Sequence, residues 1–228
     1  MKAELIDKMG DDLLVVNAAR VSFDKESSYD LHHCDHSSDG FEKGLKEGDK
    51  KLLSYLAKHN HWTPFSHPQI CMRETVPIFV ARQRFKHMVG FTYNEVSRRY
   101  VDDEPEFYTP DVWRSRPEGS VKQGSGSGEV VQTKFGTVKG EYEIFCHNAK
   151  SFYDELLESG VAPEQARAVL PQSMYTSYYV TGSLAAWARA YKQRIEHGAQ
   201  KEIQDLAILW GDIIEPLFPE SWAVLTAN

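Results

Sequence analysis

No run of about 18 apolar residues occurs in this sequence, so no segment is a candidate for a membrane-spanning helix. Cysteine is scarce. Cys34, Cys71 and Cys146 are odd in number and far apart, which argues against a disulfide framework and fits a reducing, cytoplasmic compartment. The first twelve residues, MKAELIDKMGDD, carry acids where a signal peptide needs an apolar core, so export is not expected. An excess of positive charge is missing too: 26 Lys and Arg face 33 Asp and Glu, for a net charge of −7. A chain of that sign is a poor general nucleic-acid binder. What remains is ordinary for a globular protein, with 41% hydrophobic and 26% charged residues in 228. That length fits one domain or a tight pair, and can bury most of the apolar surface of the unfolded chain.

Against this acidic background stands one cationic block, FVARQRFKHMVGFTYNEVSRRY, from Phe79 to Tyr100. Arg82, Arg84, Lys86, Arg98 and Arg99 oppose a single acid, Glu95, for a local charge of +4. Phe85, Phe91, Tyr93 and Tyr100 are interleaved with the charges, as are the amides of Gln83 and Asn94. The mixture suits a ligand with phosphates at one end and a flat ring at the other. A solvated basic face is the plain alternative, and composition alone does not choose between them.

In chain order, Asp11 and Asp12 cap a first helix through Leu13, Val16 and Ala19 that runs out near Arg20 to Phe23. Residues 24–48 lose all periodicity and read as a polar surface insertion containing His32, His33, Cys34 and His36. Four ligand types packed so closely cannot converge on one ion without partners elsewhere, so a solvated loop is preferred to a metal site. A helix from Lys50 to His59 leads into His59-Asn60-His61-Trp62-Thr63-Pro64-Phe65-Ser66-His67. The three histidines admit a metallohydrolase reading. The absence of a carboxylate and the turn at Pro64 favour a polar loop that offers imidazoles and hydroxyls to a ligand.

A strand is predicted from about Pro68 to Val76, then a helix opening at Pro77 and running from Ile78 to about His87. On it Gln83, Lys86 and His87 can point toward one ligand. Gly90 ends the helix, and Thr92 to Ser97 reads as a binding loop. A short strand is expected near Phe107. The Gly/Ser-rich stretch at about 117–134 reads as a flexible surface loop within one domain, 1–228. Val138, Tyr142, Phe145, Ala149, Phe152 and Leu156 mark a long amphipathic helix closed by Gly160. Cys146 lies inside it, where packing is a better reading than nucleophile. A short helix opens at Pro163 and carries Arg167, and Met174 to Thr181 alternates as a strand. Ser183 caps the next helix, whose apolar stripe is Leu184, Trp187, Ala188, Tyr191 and Ile195. Arg194 projects only about 20° from Trp187, at the margin of that stripe, and so needs an anion, a carbonyl or a stacked ring. A last helix from Ala199 to Leu217 is core.

Three blocks together resemble the flavin-dependent thymidylate synthases, over most of the chain except the polar insertion and the Gly/Ser loop. The first is Ala18 to Phe23, AARVSF. The second joins His59 to Phe65 and Pro77 to Gln83 with Tyr93 to Tyr100, YNEVSRRY. The third is Gln165 to Pro171, QARAVLP, followed by Arg194 and Ala199 to Ile203. The family signature of Arg-His-Arg, seven residues and Ser is altered here to Lys86-His87-Met88, eight residues and Ser97. Lysine supplies a point charge where arginine supplies a fork. Where relatives have Asn and Arg at the start of a late helix, this chain has Ser183 and Ala185. A family histidine is replaced by Gly198, with His197 one place early.

The resemblance implies an α+β fold, a single domain with a mixed or antiparallel sheet flanked by long helices. It implies FAD reduced by NADPH, methylenetetrahydrofolate as carbon donor, dUMP as substrate, and a homotetramer with shared active sites. By position, Gln83, Lys86, Glu95, Val96, Ser97, Arg98, Arg99 and Arg167 would hold dUMP. Ser22, His61, Thr63, Lys86, His87, Met88, Val89, Glu95, Ser183 and Arg189 would border FAD. Arg194 would lie against the uracil, favour its N3-deprotonated, enolate-like form and so activate C5. No metal and no cysteine nucleophile is implied. Two other readings remain: a module gripping single-stranded RNA through residues 82–100, and a metallohydrolase built on His59, His61 and His67.

Overall fold

The computed structural model describes residues 1–33, 41–101, 103–118 and 124–227. The readings that fell on Cys34, His36, Asp102 and 119–123 lie outside these residues. The N-terminal half contains β1 (Lys2–Met9), α1 (Asp12–Arg20), β2 (Asp30–His33), β3 (Phe41–Gly44) and α2 (Glu47–Lys58). The central block is β4 (Gln69–Pro77), α3 (Ile78–Arg84) and β5 (Phe91–Glu95). Then come α4 (Val138–Glu158), α5 (Pro163–Ala166), β6 (Tyr175–Ser183), α6 (Leu184–Ile195), α7 (Lys201–Ile214) and α8 (Pro219–Thr226).

Four strands form one antiparallel sheet in the order β1-β4-β6-β5, and β2 pairs with β3 in a separate hairpin. Period two decides what each face of the sheet does. Ile70, Met72, Glu74 and Val76 of β4 turn inward with Thr176, Tyr178 and Val180 of β6, and all are buried. The alternate residues, among them Arg73, Thr75, Ser177 and Tyr175, turn outward into a cleft. The inner face is covered by α6 and α7, whose Leu184, Trp187, Ile203, Leu206 and Trp210 are fully buried. Trp187 Nε1 donates to the Ile70 carbonyl at 3.2 Å and so locks α6 to the central strand. Gly182 allows the closest approach of strands: an added Cβ would stand 2.3 Å from the ring of its register partner Phe91.

Through this inner face runs the least expected feature of the fold. Arg84, one of the cations of the central block, has no solvent exposure. Its Nε lies 3.3 Å from both carboxylate oxygens of Glu74, and its Nη1 donates to Tyr93 Oη at 2.6 Å. Glu74 also accepts from Tyr178 Oη at 2.5 Å. The guanidinium is enclosed by Phe91, Tyr93, Trp187 and Trp210, at 4.4–5.2 Å from their ring centres. Arg84 is therefore a core residue, and its place in a ligand-facing cationic block is corrected.

Other expectations change for local reasons. The binding loop expected at Thr92 to Ser97 is mostly strand β5, because Phe91 and Tyr93 pack inward while Thr92 and Asn94 face out. The 24–48 insertion contains the β2–β3 hairpin rather than only loop. Two elements had no place in the sequence reading: edge strand β1 and terminal helix α8. Asp12 caps α8 from a distance, its carboxylate accepting the backbone N–H groups of Glu220 and Ser221 at 2.9 Å each. Asp11, not Asp12, caps α1 by accepting from Leu14 N at 3.0 Å. Helix α4 stands as expected and ends before Gly160, whose φ is +84°. Its stripe does not bury, however: Phe145 and Phe152 are exposed, and Cys146 and Tyr153 are the residues turned inward. The described part of the Gly/Ser stretch is tied back by Val130 N to Trp113 O and Gly126 N to Ser115 O, both 2.8 Å.

Removing one member of a buried ion pair leaves the other charge without compensation. Glu74→Ala is therefore expected to cost about 3–5 kcal/mol of unfolding free energy, read from urea titrations. A loss below about 1 kcal/mol would mean that the aromatic enclosure alone holds Arg84.

Candidate functional site

The outward face of the sheet forms the floor of a cleft of about 900 Å³. Glu95, at the end of β5, and Val96, Ser97, Arg98 and Arg99 beyond it line one wall, and Arg167, just past α5, lines the other. Pairing continues one residue past the strand, since Val96 N donates to Ser177 O at 2.9 Å. Glu95 is anchored by Thr176 Oγ1 at 2.6 Å, and Arg99 Nε donates to Ser97 Oγ at 3.2 Å. Six of the expected substrate residues thus share one cleft, with Arg73 adding a cation from β4. Its lining mixes hydroxyls with four guanidinium groups and five carboxylates, Glu95, Asp103, Glu104, Glu106 and Glu164, of which Glu104 is paired with Lys150.

Gln83 and Arg194 do not line that cleft. They meet elsewhere, where the end of α3 faces the end of α6. Arg194 Nε donates to His87 Nε2 at 2.8 Å, and its Nη2 donates to the Gln83 carbonyl at 3.4 Å. His87 is buried, and burial, with the charges of Arg194, Arg84 and Arg189, pushes its pKa down to about 4. Burial also lowers the pKa of Arg194, aided by Arg84. The side chain of Gln83 donates to Gln200 Oε1 at 2.5 Å; Gln200 donates to Glu202 at 2.8 Å. Glu202 is held by Arg114 Nη2 at 2.6 Å. Arg114 was missed in the sequence, because nothing local marks an arginine whose partner lies 88 residues away. Lys86 is exposed and takes no part, so the expected convergence of Gln83, Lys86 and His87 is corrected to Gln83, His87 and Arg194. The helix ends at Arg84, which breaks the spacing on which that expectation rested.

A second cleft, of about 1340 Å³, lies between α2, the turn at 60–69, the length of α6 and the end of α8. Val89, Ser183 and Arg189 line it, as does Trp62, which stands between His61 and Thr63. Its floor is small residues: Gly90 has φ +80°, and an added Cβ would stand 2.8 Å from that of Ala186. Arg189 donates to the Val89 carbonyl, and Lys58 and Lys192 add positive charge at the edges. A large ligand with a flat apolar body and an anionic segment fits this donor set, so these residues suit a flavin dinucleotide. Ser22, His61, Thr63 and Met88 are exposed and outside the cleft lining. His59 and His61 pack on Tyr55, with ring centres 4.4 and 5.9 Å from it. Among the described residues no group of three or more His, Cys, Asp or Glu side chains is placed to hold a metal.

An α+β chain with one cleft lined by arginines, carboxylates and hydroxyls, a second cleft fit for a dinucleotide and a guanidinium without a carboxylate partner among the described residues has the makings of a nucleotide-modifying enzyme. Residues 4–220 match the family described as thymidylate synthase complementing protein. The flavin-dependent thymidylate synthase of Thermosipho africanus is 38% identical over 218 residues, covering 94% of this chain and 86% of that one. That of Thermus thermophilus is 34% identical over 219 residues, covering 96% and 73%. The UMP/dUMP methylase PolB from Streptomyces cacaoi, crystallised with 5-Br UMP, superposes with a TM-score of 0.80 at 27% identity, covering 99% and 93%. The chain belongs to the flavin-dependent thymidylate synthase family.

Glu202 opposes the cost of burial through its bonds to Arg114 and Gln200, which leave its pKa below the ordinary carboxylate value. A carboxyl group with a depressed folded-state pKa contributes stability above its unfolded pKa, and that contribution fades as pH falls through the folded value. Arg114→Ala should therefore cost about 2 kcal/mol at pH 7 and flatten the acid-side loss of stability. Urea unfolding at several pH values checks both.

Proposed function

We propose that this chain methylates dUMP to dTMP, with methylenetetrahydrofolate as carbon donor, FAD as the hydride-carrying cofactor and NADPH as its reductant. The observation that carries the reading is the meeting of Arg194 with Gln83 and His87, which joins a late helix to the central block. Arginine stays charged at any working pH, and this one has no carboxylate partner among the described residues. Its field is therefore available to negative charge that develops on a pyrimidine carbonyl as C5 becomes nucleophilic. Such a preorganised donor is worth about 3 kcal/mol of barrier. Favouring the N3-deprotonated, enolate-like uracil is the same effect applied to the bound nucleotide.

Ser97, Arg98, Arg99 and Arg167 take the phosphate end, with Glu95 and Val96 at the margin of the same cleft. Arg189, Ser183 and Val89 border the flavin, joined by the exposed Lys86, Met88, Ser22, His61 and Thr63 where subunits meet, while the buried His87 turns to Arg194 instead. Bound FAD supplies the hydride that completes the methyl group; the chain's own residues bind, orient and keep water away. On one chain the phosphate residues and the Arg194 cluster stand in separate places, so a second copy completes each site. The exposed Ile144, Phe145 and Phe152 of α4 offer an apolar face for that assembly, which we take to be a homotetramer. The 5-Br dUMP and 5-Br UMP bound by the Streptomyces cacaoi methylase support a pyrimidine nucleotide as ligand. Cys71 and Cys146 are unpaired, which supports a cytoplasmic setting.

Release of tritium from 5-labelled dUMP, with FAD, NADPH and the folate supplied, tests the reaction directly; its absence would end this reading. Arg194→Ala should lower turnover by at least about 10²-fold while flavin still binds. Lys86→Ala should weaken FAD binding and reduce its sensitivity to salt, and unchanged affinity would place Lys86 outside the flavin site.

A further inference from the structure

Arginine has a long, mobile side chain, and holding it in one orientation costs about 2 kcal/mol of rotamer entropy. A site that uses a guanidinium as an electrostatic device must meet that cost before substrate arrives. Most buried or half-buried arginines are held by a carboxylate, which orients the group and also neutralises it. Arg194 is held differently: by a neutral ring nitrogen, His87 Nε2 at 2.8 Å, and by a backbone carbonyl, Gln83 O at 3.4 Å. Neither contact removes its charge. Two adjacent nitrogens of the fork are engaged, which sets the plane of the guanidinium, while Nη1 bonds to no described residue.

We propose that His87 is a positioning residue for Arg194, accepting its Nε–H so that the guanidinium is oriented toward the pyrimidine with its charge undiminished. The proposal rests on the reaction proposed above and gives His87 a task apart from any contact with flavin. Three features support it. The backbone of His87 is fixed from both sides, its N–H donating to Arg84 O at 3.1 Å and its carbonyl accepting Tyr93 Oη at 2.6 Å. That hydroxyl belongs to the buried Arg84 network, so the backbone that carries the imidazole is tied to the core. A ring nitrogen accepts only while unprotonated, and the groups facing it are all cationic: Arg84 from α3, Arg189 and Arg194 from α6. With burial they keep the imidazole neutral down to about pH 4, so the acceptor persists at any pH at which the protein works.

Glutamine can place its amide oxygen where Nε2 stands, whereas asparagine reaches only as far as Nδ1. His87→Phe, His87→Gln and His87→Asn therefore separate a contact from a cavity. With FAD-loaded enzyme and tritium release from 5-labelled dUMP, His87→Phe should lower kcat about 10²-fold. Flavin content should be unchanged and the KM for dUMP altered by less than about threefold. His87→Gln should recover most of the loss and His87→Asn little of it. A second measurement needs no turnover. Imidazole ¹⁵N shifts of the full chain should show Nε2 unprotonated at neutral pH. In Arg194→Ala the pKa of His87 should rise from about 4, but only part of the way to the ordinary imidazole value, because burial and the charges of Arg84 and Arg189 remain. Equal activities for the Gln and Asn variants, wild-type turnover in His87→Phe, flavin loss as the main effect, or an unmoved titration in Arg194→Ala would each overturn the role. No tritium release from the wild type sinks the reaction and the role with it, whereas a titration that moves while turnover does not overturns the role alone.

Discussion

A positive charge with no access to water organises this molecule. Arg84 comes from α3 and its carboxylate partner Glu74 from β4; the hydroxyls and rings around them come from β5, β6, α6 and α7. Desolvating two ions costs several kcal/mol each, offset only if geometry and further hydrogen bonds are good. Here the offset comes from Tyr178 on the anion, Tyr93 on the cation and four aromatic faces around the guanidinium. One nitrogen, Arg84 Nη2, remains without a partner. Every element around this pair must stand in register for the pair to be tolerable, which gives the core a specificity that apolar packing alone does not supply.

The consequence for the site is twofold. The Tyr93 hydroxyl that satisfies Arg84 also donates to the His87 carbonyl and so fixes the segment after α3. The same cation, lying behind His87, helps to keep that imidazole neutral. Burial also pushes the Tyr93 phenol up to about 12, so it remains a hydrogen-bond donor across the working range. Burial and Arg194 itself do most to hold the His87 imidazole neutral, and the structural cation adds to them.

The two faces of the sheet divide the labour between stability and binding. Period two sends Met72, Glu74 and Val76 into the core and Arg73 and Thr75 into the cleft that Ser97 lines, so one strand serves both. Sequence patterning saw the strand and its inward parity readily. It did not see β1, whose exposed Leu5 and Ile6 give no alternation, or the strand character of Phe91 to Glu95, masked by neighbouring charges and Asn94. The stripe of α4 was legible as a helix, but periodicity cannot say which apolar face meets this chain's own core and which is left for another surface.

Residue spacing and motif order determined the family, the helices α1 to α7 in outline, and the grouping of Glu95 to Arg99 with Arg167, since those signals are local or survive as ordered blocks. Tertiary structure alone decided which cations are working groups. Arg84 and Lys86 lie two residues apart in one basic run, yet one is sealed in the core and the other lies in solvent. Arg114 and Arg194 find their partners 88 and 107 residues away. The physical reason is that charge belongs to a residue, whereas desolvation and partnership belong to a place, and the place exists only once the chain has closed on itself.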